Sequence, residues 1–214
     1  MRTASLIALA LLLAACGGSG KHAGATTETT AGGCVKVSQP KLGKRSAPKP
    51  TARLDPTKVY DVRFTTNCGA FTIRLAVKTA PKTAASFASL VRHGFFDATV
   101  FHRIVPGFVI QGGDPTASGL GGPGYTVVEA PPTATRYTLG VAAMAKAGDQ
   151  PRGASGSQFF VVTAADAQLG PDYALLGHVV SGLAVVERIG RLGDPSTERP
   201  TEVVEIEKAT LDVH

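Results

Sequence analysis

The stretch FHRIVPGFVIQGGD, residues 101–114, sets a permanent cation, Arg103, and an amide, Gln111, among apolar residues. Side chains alternate between faces in an extended chain, so Arg103 is expected to point the same way as Phe101 and Val105. A guanidinium in such company is either paired with an acid or lines a groove that another molecule fills. No obvious acid flanks Arg103 in the sequence, which favours the groove. His102 could serve as an acid or base, but it is read as a histidine satisfied on the opposite strand face.

Other chemical motifs are weaker. GLGGPG, residues 119–124, has no strand before it and no helix after it, so it reads as a turn-rich loop rather than a nucleotide loop. GASGS, residues 153–157, ends in serine and misses the G-x-S-x-G nucleophile elbow. His22, His93, His102, His178 and His214 lack the spacing of metal ligands. With no paired carboxylates and no activated nucleophile, any enzymatic chemistry here needs neither a covalent nor a proton-transfer step, and no cofactor is expected.

These residues must be held by short elements. Residues 59–66 and 71–77 flank Asn67-Cys68-Gly69-Ala70, and alternation of Phe71, Ile73, Leu75 and Val77 predicts a hairpin with one buried face. Pro81, then Ala84, Phe87, Leu90 and Val91 at helical spacing, then Gly94, predict a helix. The opening stretch supplies two strands, and a Gly/Pro-rich loop over 114–135 leads to strands near 137–144, 157–163 and 174–180. A short helix over 183–189 and a last strand over 202–213 complete the chain. About eight short strands with two helices and no βαβ rhythm predict a mainly β fold, with a closed eight-stranded antiparallel barrel capped by two α-helices as the economical form. A sandwich is the alternative.

That domain spans 58–214. Before it, residues 1–15 hold Arg2, an apolar run and small residues, the pattern of a secretion leader. Leu13-Ala14-Ala15-Cys16 resembles a bacterial lipobox, in which Cys16 is acylated and becomes the N-terminus. The expected location is therefore extracytoplasmic, anchored to the cell membrane by a lipid on Cys16. Residues 16–57 are rich in Gly, Thr, Ser, Pro and Lys and read as a flexible basic tether spanning on the order of 35 Å. It carries much of the net charge of +6, which suits an anionic membrane surface or simply solvates the tether. Nucleic acid is not an expected partner, since aromatics are few and do not interleave with the basic cluster. With Cys16 acylated, Cys34 and Cys68 remain, either bridged or as two free thiols.

Arg103, Phe108 and Gln111, together with MAKAG (144–148) and GSQFFVV (156–162), resemble the cyclophilins, the peptidyl-prolyl cis-trans isomerases (EC 5.2.1.8). The resemblance covers residues 59–213. It implies a barrel capped by two helices with its groove on the outside, proline-containing polypeptides as partners, and a monomer. By position it makes Arg103 the catalytic arginine and Phe108, Val109, Phe160 and Leu169 the proline pocket. Gln111, Gln158 and the backbone around Ala145 and Ala147 would bind peptide, with Gly119 in the flanking loop. Three positions depart from the family: Val109 for methionine, Lys146 for asparagine, and Tyr173 for histidine. Gln168 stands where many relatives carry tryptophan, which implies weak cyclosporin inhibition.

The chemistry suits these residue types. Amide resonance sets a barrier near 18–20 kcal/mol, and in the twisted transition state the prolyl nitrogen regains a lone pair. A fixed guanidinium bonds that lone pair only while it exists, which is differential binding of the transition state. Two other readings are a proline-peptide-binding module or chaperone with little turnover, and a structural surface lipoprotein.

Overall fold

The computed structural model describes residues 28–214. Cys16 and the expected leader lie outside the described residues, and no helix among those described is long and apolar enough to cross a membrane.

The hairpin forms as β1 (Tyr60–Thr66) and β2 (Gly69–Leu75), paired from Asp61 with Arg74 to Thr66 with Gly69. Helix α1 (Pro81–Arg92) starts on its proline and buries Ala84, Phe87, Ala88, Leu90 and Val91. Its N-cap residue, Ala80, offers no side-chain acceptor. The carboxylate of Glu129 takes that place, accepting from the N–H groups of Lys82 (3.1 Å) and Thr83 (2.7 Å) at the positive end of the helix. Gly94, at φ 63°, turns the chain out of the helix, its N–H bonded to Val91 O.

The remaining strands are β3 (Thr99–Val100), β4 (Arg103–Val105), β5 (Val109–Gly112), β6 (Val127–Val128), β7 (Val141–Met144), β8 (Ala154–Ser155), β9 (Phe159–Val162), β10 (Leu175–Ser181) and β11 (Glu205–Val213), with α2 (Leu183–Gly190) before the last. Strands β6 and β8 pair by themselves. The other nine form one antiparallel sheet in the order β3-β11-β1-β2-β10-β7-β9-β5-β4. This corrects the expected closed eight-stranded barrel: the sheet curls strongly but β3 and β4 do not pair with each other. Only Phe101-His102, which belong to neither strand, separate the two, and residues 193–200 pack against β4 instead. Phe101 N–H bonds Val204 O, and Ile104 N–H bonds Glu198 O at 2.8 Å.

The expected parity does not hold. Phe101 is fully buried in the main core beside Phe71 and Phe159, while Arg103 is on the other side of the sheet with Val105. Phe64, Phe71, Phe87, Phe96 and Phe159 pack between the concave face and α1, with ring centroids as close as 4.7 Å for Phe87 and Phe96. On the outer face a second cluster of Val109, Tyr137, Ala143, Phe160 and Val162 is buried. Both faces of β5, β7 and β9 are thus covered, which is why these strands read as nearly continuous apolar runs.

Residues 36–57, expected within the tether, have no strand of their own but run against the domain. Arg45 Nη1 donates to Phe95 O and Asp97 O, both at 2.7 Å, and Ala47 N–H bonds Pro123 O. Ala47 and Leu54 pack on the core. Cys34 and Cys68 are joined by a disulfide, which fixes residues 28–35 to the β1–β2 turn.

Candidate active site

Cross-strand register brings the site together. Arg103 on β4 is opposite Gln111 on β5, Gln111 is opposite Phe160 on β9, and Phe160 is opposite Ala143 on β7. Partners in register share a face, so these four side chains form one row across the outer surface of the sheet. Their neighbours Ile104, Ile110, Phe159 and Ala142 point inward to the main core. The sequence-predicted Arg103, Gln111 and Phe160 are therefore adjacent, with Arg103 and Gln111 partly exposed beside the buried outer cluster to which Phe160 belongs.

Polar side chains along this row are linked. Arg103 Nη1 donates to Gln111 Oε1 at 3.3 Å, Gln111 Nε2 to Gln158 Oε1 at 3.0 Å, and Gln158 Nε2 to the carbonyls of Gly119 (2.9 Å) and Gly121 (3.0 Å). Arg103 is about one-third exposed and also donates from Nε to Glu198 Oε2 at 2.6 Å. The expectation that no acid serves Arg103 is corrected here. Its partner is 95 residues downstream, a distance at which no sequence pattern ties the two together.

The apolar residues Phe108, Val109, Phe160, Leu169 and Tyr173 come together in the outer cluster. Phe160 meets the Tyr173 ring edge-on at 5.4 Å. Beneath them Tyr137 is fully buried, its hydroxyl donating to Tyr173 O at 2.5 Å and accepting from Tyr173 N–H. Burial pushes the Tyr137 phenol up to about 12, so it stays a neutral donor. Lys146 stays with the backbone expected to bind peptide, its ammonium donating to Gln150 O at 3.2 Å and Ala147 O at 3.5 Å. Its ammonium meets Asp172 Oδ2 at 2.7 Å and sits 5.7 Å from the centre of the Tyr173 ring, a cation–π contact. Gln168 is exposed at φ 54°.

Two concavities flank the row and share Gln111 and Gly119. The larger, about 910 Å³, is lined by Ala145, Lys146, Ala147 and Gln158, with Lys44 at its margin. The smaller, about 540 Å³, is lined by His102, Arg103, Ser118 and Glu198, with Gln39 at its margin. Phe108, Val109, Phe160 and Leu169 belong to neither; they form the apolar ground beside Gln111.

The loop that separates the concavities is organised by a residue the sequence reading passed over, Asp114. Its fully buried carboxylate accepts from Thr116 N–H and Oγ1 (both 2.7 Å), Gly119 N–H (2.6 Å) and Gly121 N–H (3.1 Å). Burial alone would raise its pKa, but these hydrogen bonds outweigh it and hold the group below the usual carboxylate range. A Cβ on Gly121 would be 2.0 Å from Asp114 Oδ1, so the close approach requires glycine. A buried acid followed by Thr, Ser and Gly within seven residues is the signal that could have revealed it. His102 departs from the expectation of a satisfied ring: neither nitrogen has a hydrogen-bond partner among the described residues.

Comparison with known proteins places the chain in a family. The sequence pattern of the family described as cyclophilin type peptidyl-prolyl cis-trans isomerase/CLD matches residues 61–211. The chain is 39% identical over 150 residues to peptidyl-prolyl cis-trans isomerase-like 1 of Gibberella zeae, covering 68% of this chain and 91% of that one. The Mus musculus protein of the same name is 39% identical over 158 residues, covering 72% and 92%. Among solved structures, a Cryptosporidium parvum cyclophilin type peptidyl-prolyl cis-trans isomerase, crystallised in the presence of the dipeptide Ala-Pro, superposes with a TM-score of 0.65 at 29% identity, covering 71% of this chain and 98% of that one. The match over residues 61–211 and the near-complete coverage of these relatives lead to one conclusion: the chain belongs to the cyclophilin-type peptidyl-prolyl cis-trans isomerases.

Proposed function

We propose that this isomerase turns X–Pro bonds of exported polypeptides on the outer face of its sheet, with Arg103 as the donor to the prolyl nitrogen. The observation that carries the reading is the row Arg103–Gln111–Phe160, a cation, an amide and an aromatic floor in register on adjacent strands. Phe108, Val109, Phe160 and Leu169 would grip the proline ring. Gln111, Gln158 and the backbone at Ala145 and Ala147 would hold the peptide while the rest of the chain rotates, with Gly119 at the flank. The Ala-Pro dipeptide used with the Cryptosporidium relative supports a proline peptide as the ligand class. As the bond twists, a fixed charge-assisted donor stabilises the emerging lone pair by roughly 1.5–3 kcal/mol, or about one to two decades of rate. The apolar floor and desolvation of the carbonyl contribute the remainder.

The setting is proposed to be extracytoplasmic, with a monomer anchored to the membrane through a lipid on Cys16. The leader-like apolar run and Leu13-Ala14-Ala15-Cys16 support this, as does the Cys34–Cys68 disulfide, a bond that persists in oxidising compartments. The test of the catalytic reading is a prolyl-isomerisation assay on a proline peptide. Arg103→Ala is expected to lower kcat/KM about 10- to 100-fold. Equal rates for the two proteins would defeat the arginine mechanism. Mass spectrometry of the membrane fraction, seeking a diacylglyceryl mass on Cys16, checks the anchor.

A further inference from the structure

An arginine used as a transition-state donor must present one edge of its fork to the substrate while the rest is held. Two of the arginine–carboxylate pairs among the described residues, Arg74–Asp61 and Arg103–Glu198, can be compared on this point. Arg74 is clamped bidentately by Asp61, with Nε and Nη2 each 2.9 Å from a carboxylate oxygen. That geometry spends both donors of one edge on a structural contact. Arg103 is held differently. Glu198 takes only Nε (2.6 Å) and Gln111 takes only Nη1 (3.3 Å), so Nη2 has no partner among the described residues. Two fixed points set the plane of the guanidinium, and Nη2 is left for a group outside the protein in the smaller concavity that Arg103 lines.

Glu198 is itself held at some cost. Its backbone sits at φ 57°, a region that residues with a Cβ rarely adopt. The surrounding loop enforces it: Glu198 N–H bonds Asp194 O at 2.7 Å, Glu198 O accepts from Ile104 N–H at 2.8 Å, and Asp194 N–H bonds Arg199 O. Asp194 Oδ1 further accepts from Ser196 and Thr197 N–H. The loop reaches this depth because Gly193 lets its backbone touch β4; a Cβ there would be 2.2 Å from Ile104 O. A strained residue whose main chain is bonded to β4 and whose carboxylate meets the first side chain of β4 has one evident consequence, the orientation of Arg103.

We propose that Glu198 is a positioning residue for the isomerase reaction, holding Arg103 through Nε so that Nη2 faces the substrate. This rests on the arginine reading above and adds to it the group that orients the arginine. The test compares wild type, Glu198→Gly, Glu198→Gln, Arg103→Ala and the Arg103→Ala/Glu198→Gly pair in prolyl isomerisation. Glu198→Gly removes the carboxylate and relieves the positive φ, so thermal stability should not fall. It should lower kcat roughly 3- to 10-fold, the cost of immobilising one freed, rotamer-rich side chain, with KM little changed. Glu198→Gln keeps an acceptor for Nε and should lie between. In the Arg103→Ala background the glycine substitution should cost nothing more, because its effect passes through the missing side chain. The ¹⁵N resonance of Arg103 Nε–H should be resolved in wild type and lost to exchange in Glu198→Gly. The proposal is overturned if Glu198→Gly keeps the wild-type rate while Arg103→Ala is impaired, or if the loss is equal in both backgrounds. A wild-type rate for Arg103→Ala would overturn the arginine reading itself.

Discussion

Arg103 and His102 are adjacent, share the smaller concavity, and solve opposite problems. Arg103 divides its donors between Glu198 and Gln111, whereas both ring nitrogens of His102 are buried without a hydrogen-bond partner among the described residues. Burial disfavours the charged imidazole; Asp114 opposes this, yet burial prevails and holds the ring below the ordinary histidine range. Well above the ordinary histidine pKa of about 6.5 the ring is neutral in folded and unfolded chains and contributes nothing to the pH dependence. As pH falls below 6.5, the unfolded chain takes the proton first, so the native state is destabilised until pH reaches the lower folded value. Urea midpoints for wild type and His102→Gln should therefore diverge on going from pH 8 to pH 5, with wild type losing more. Parallel curves would mean that His102 protonates as readily in the native protein. At this scale part of the site was legible: an arginine and a glutamine stand out as polar residues in two adjacent apolar runs, although parity wrongly put Phe101 on the face of Arg103. Glu198 was not legible, because its contact depends on a loop that meets β4 from 95 residues away.

The elements that carry the site are short, and their precision comes from loops rather than strand length. The loop over 114–121 has no regular structure, yet the Asp114 carboxylate fixes it and so places the Gly119 and Gly121 carbonyls that anchor Gln158. Asp114→Asn would turn an amide N–H₂ or a single carbonyl toward N–H groups now served by two charged oxygens. Loss of those bonds is expected to cost about 2 kcal/mol, roughly 4–8 °C in Tm, and to raise KM by freeing Gln158. Calorimetry and peptide titration read the two effects, and an unchanged KM with a lowered Tm would separate the loop from binding. Helix α1 was legible from Pro81 and its apolar spacing, although Glu129, which caps it, comes from 46 residues beyond Thr83. Strands β6 and β8 were hidden inside Gly/Pro-rich sequence, because two-residue strands have no period to detect. The strand expected from Tyr137 starts only at Val141, since Gly140 turns the chain at φ 80°. The last strand starts at Glu205 rather than residue 202, where Asn67 accepts from Glu205 N–H and donates to Val203 O.

On the scale of the whole molecule, an open curled sheet must protect its seam and its edges by other means than closure. Residues 193–200 do this at β4, and residues 36–57 run along the domain from the smaller concavity, which Gln39 helps to line, to the end of α1, where Arg45 bonds the carbonyls that follow the helix. The wrapped segment is fixed at one end by continuity with β1 and at the other by Cys34, whose disulfide to Cys68 spans 34 residues of chain. In the chain-entropy view a loop of that length contributes roughly 3–4 kcal/mol by restricting the unfolded chain. Reduction of the full-length protein should therefore lower Tm by on the order of 10 °C, read by calorimetry with and without dithiothreitol. Catalysis should respond differently. Arg103, Gln111 and Phe160 are placed by β4, β5 and β9, none of which pairs with the segment or carries a cysteine. Below the lowered Tm, kcat/KM on a short proline peptide should be nearly unchanged by reduction. A large fall in rate at a temperature where the reduced protein is folded would show instead that the wrapped segment, through Gln39 or Lys44 at the margins of the two concavities, takes part in holding the peptide.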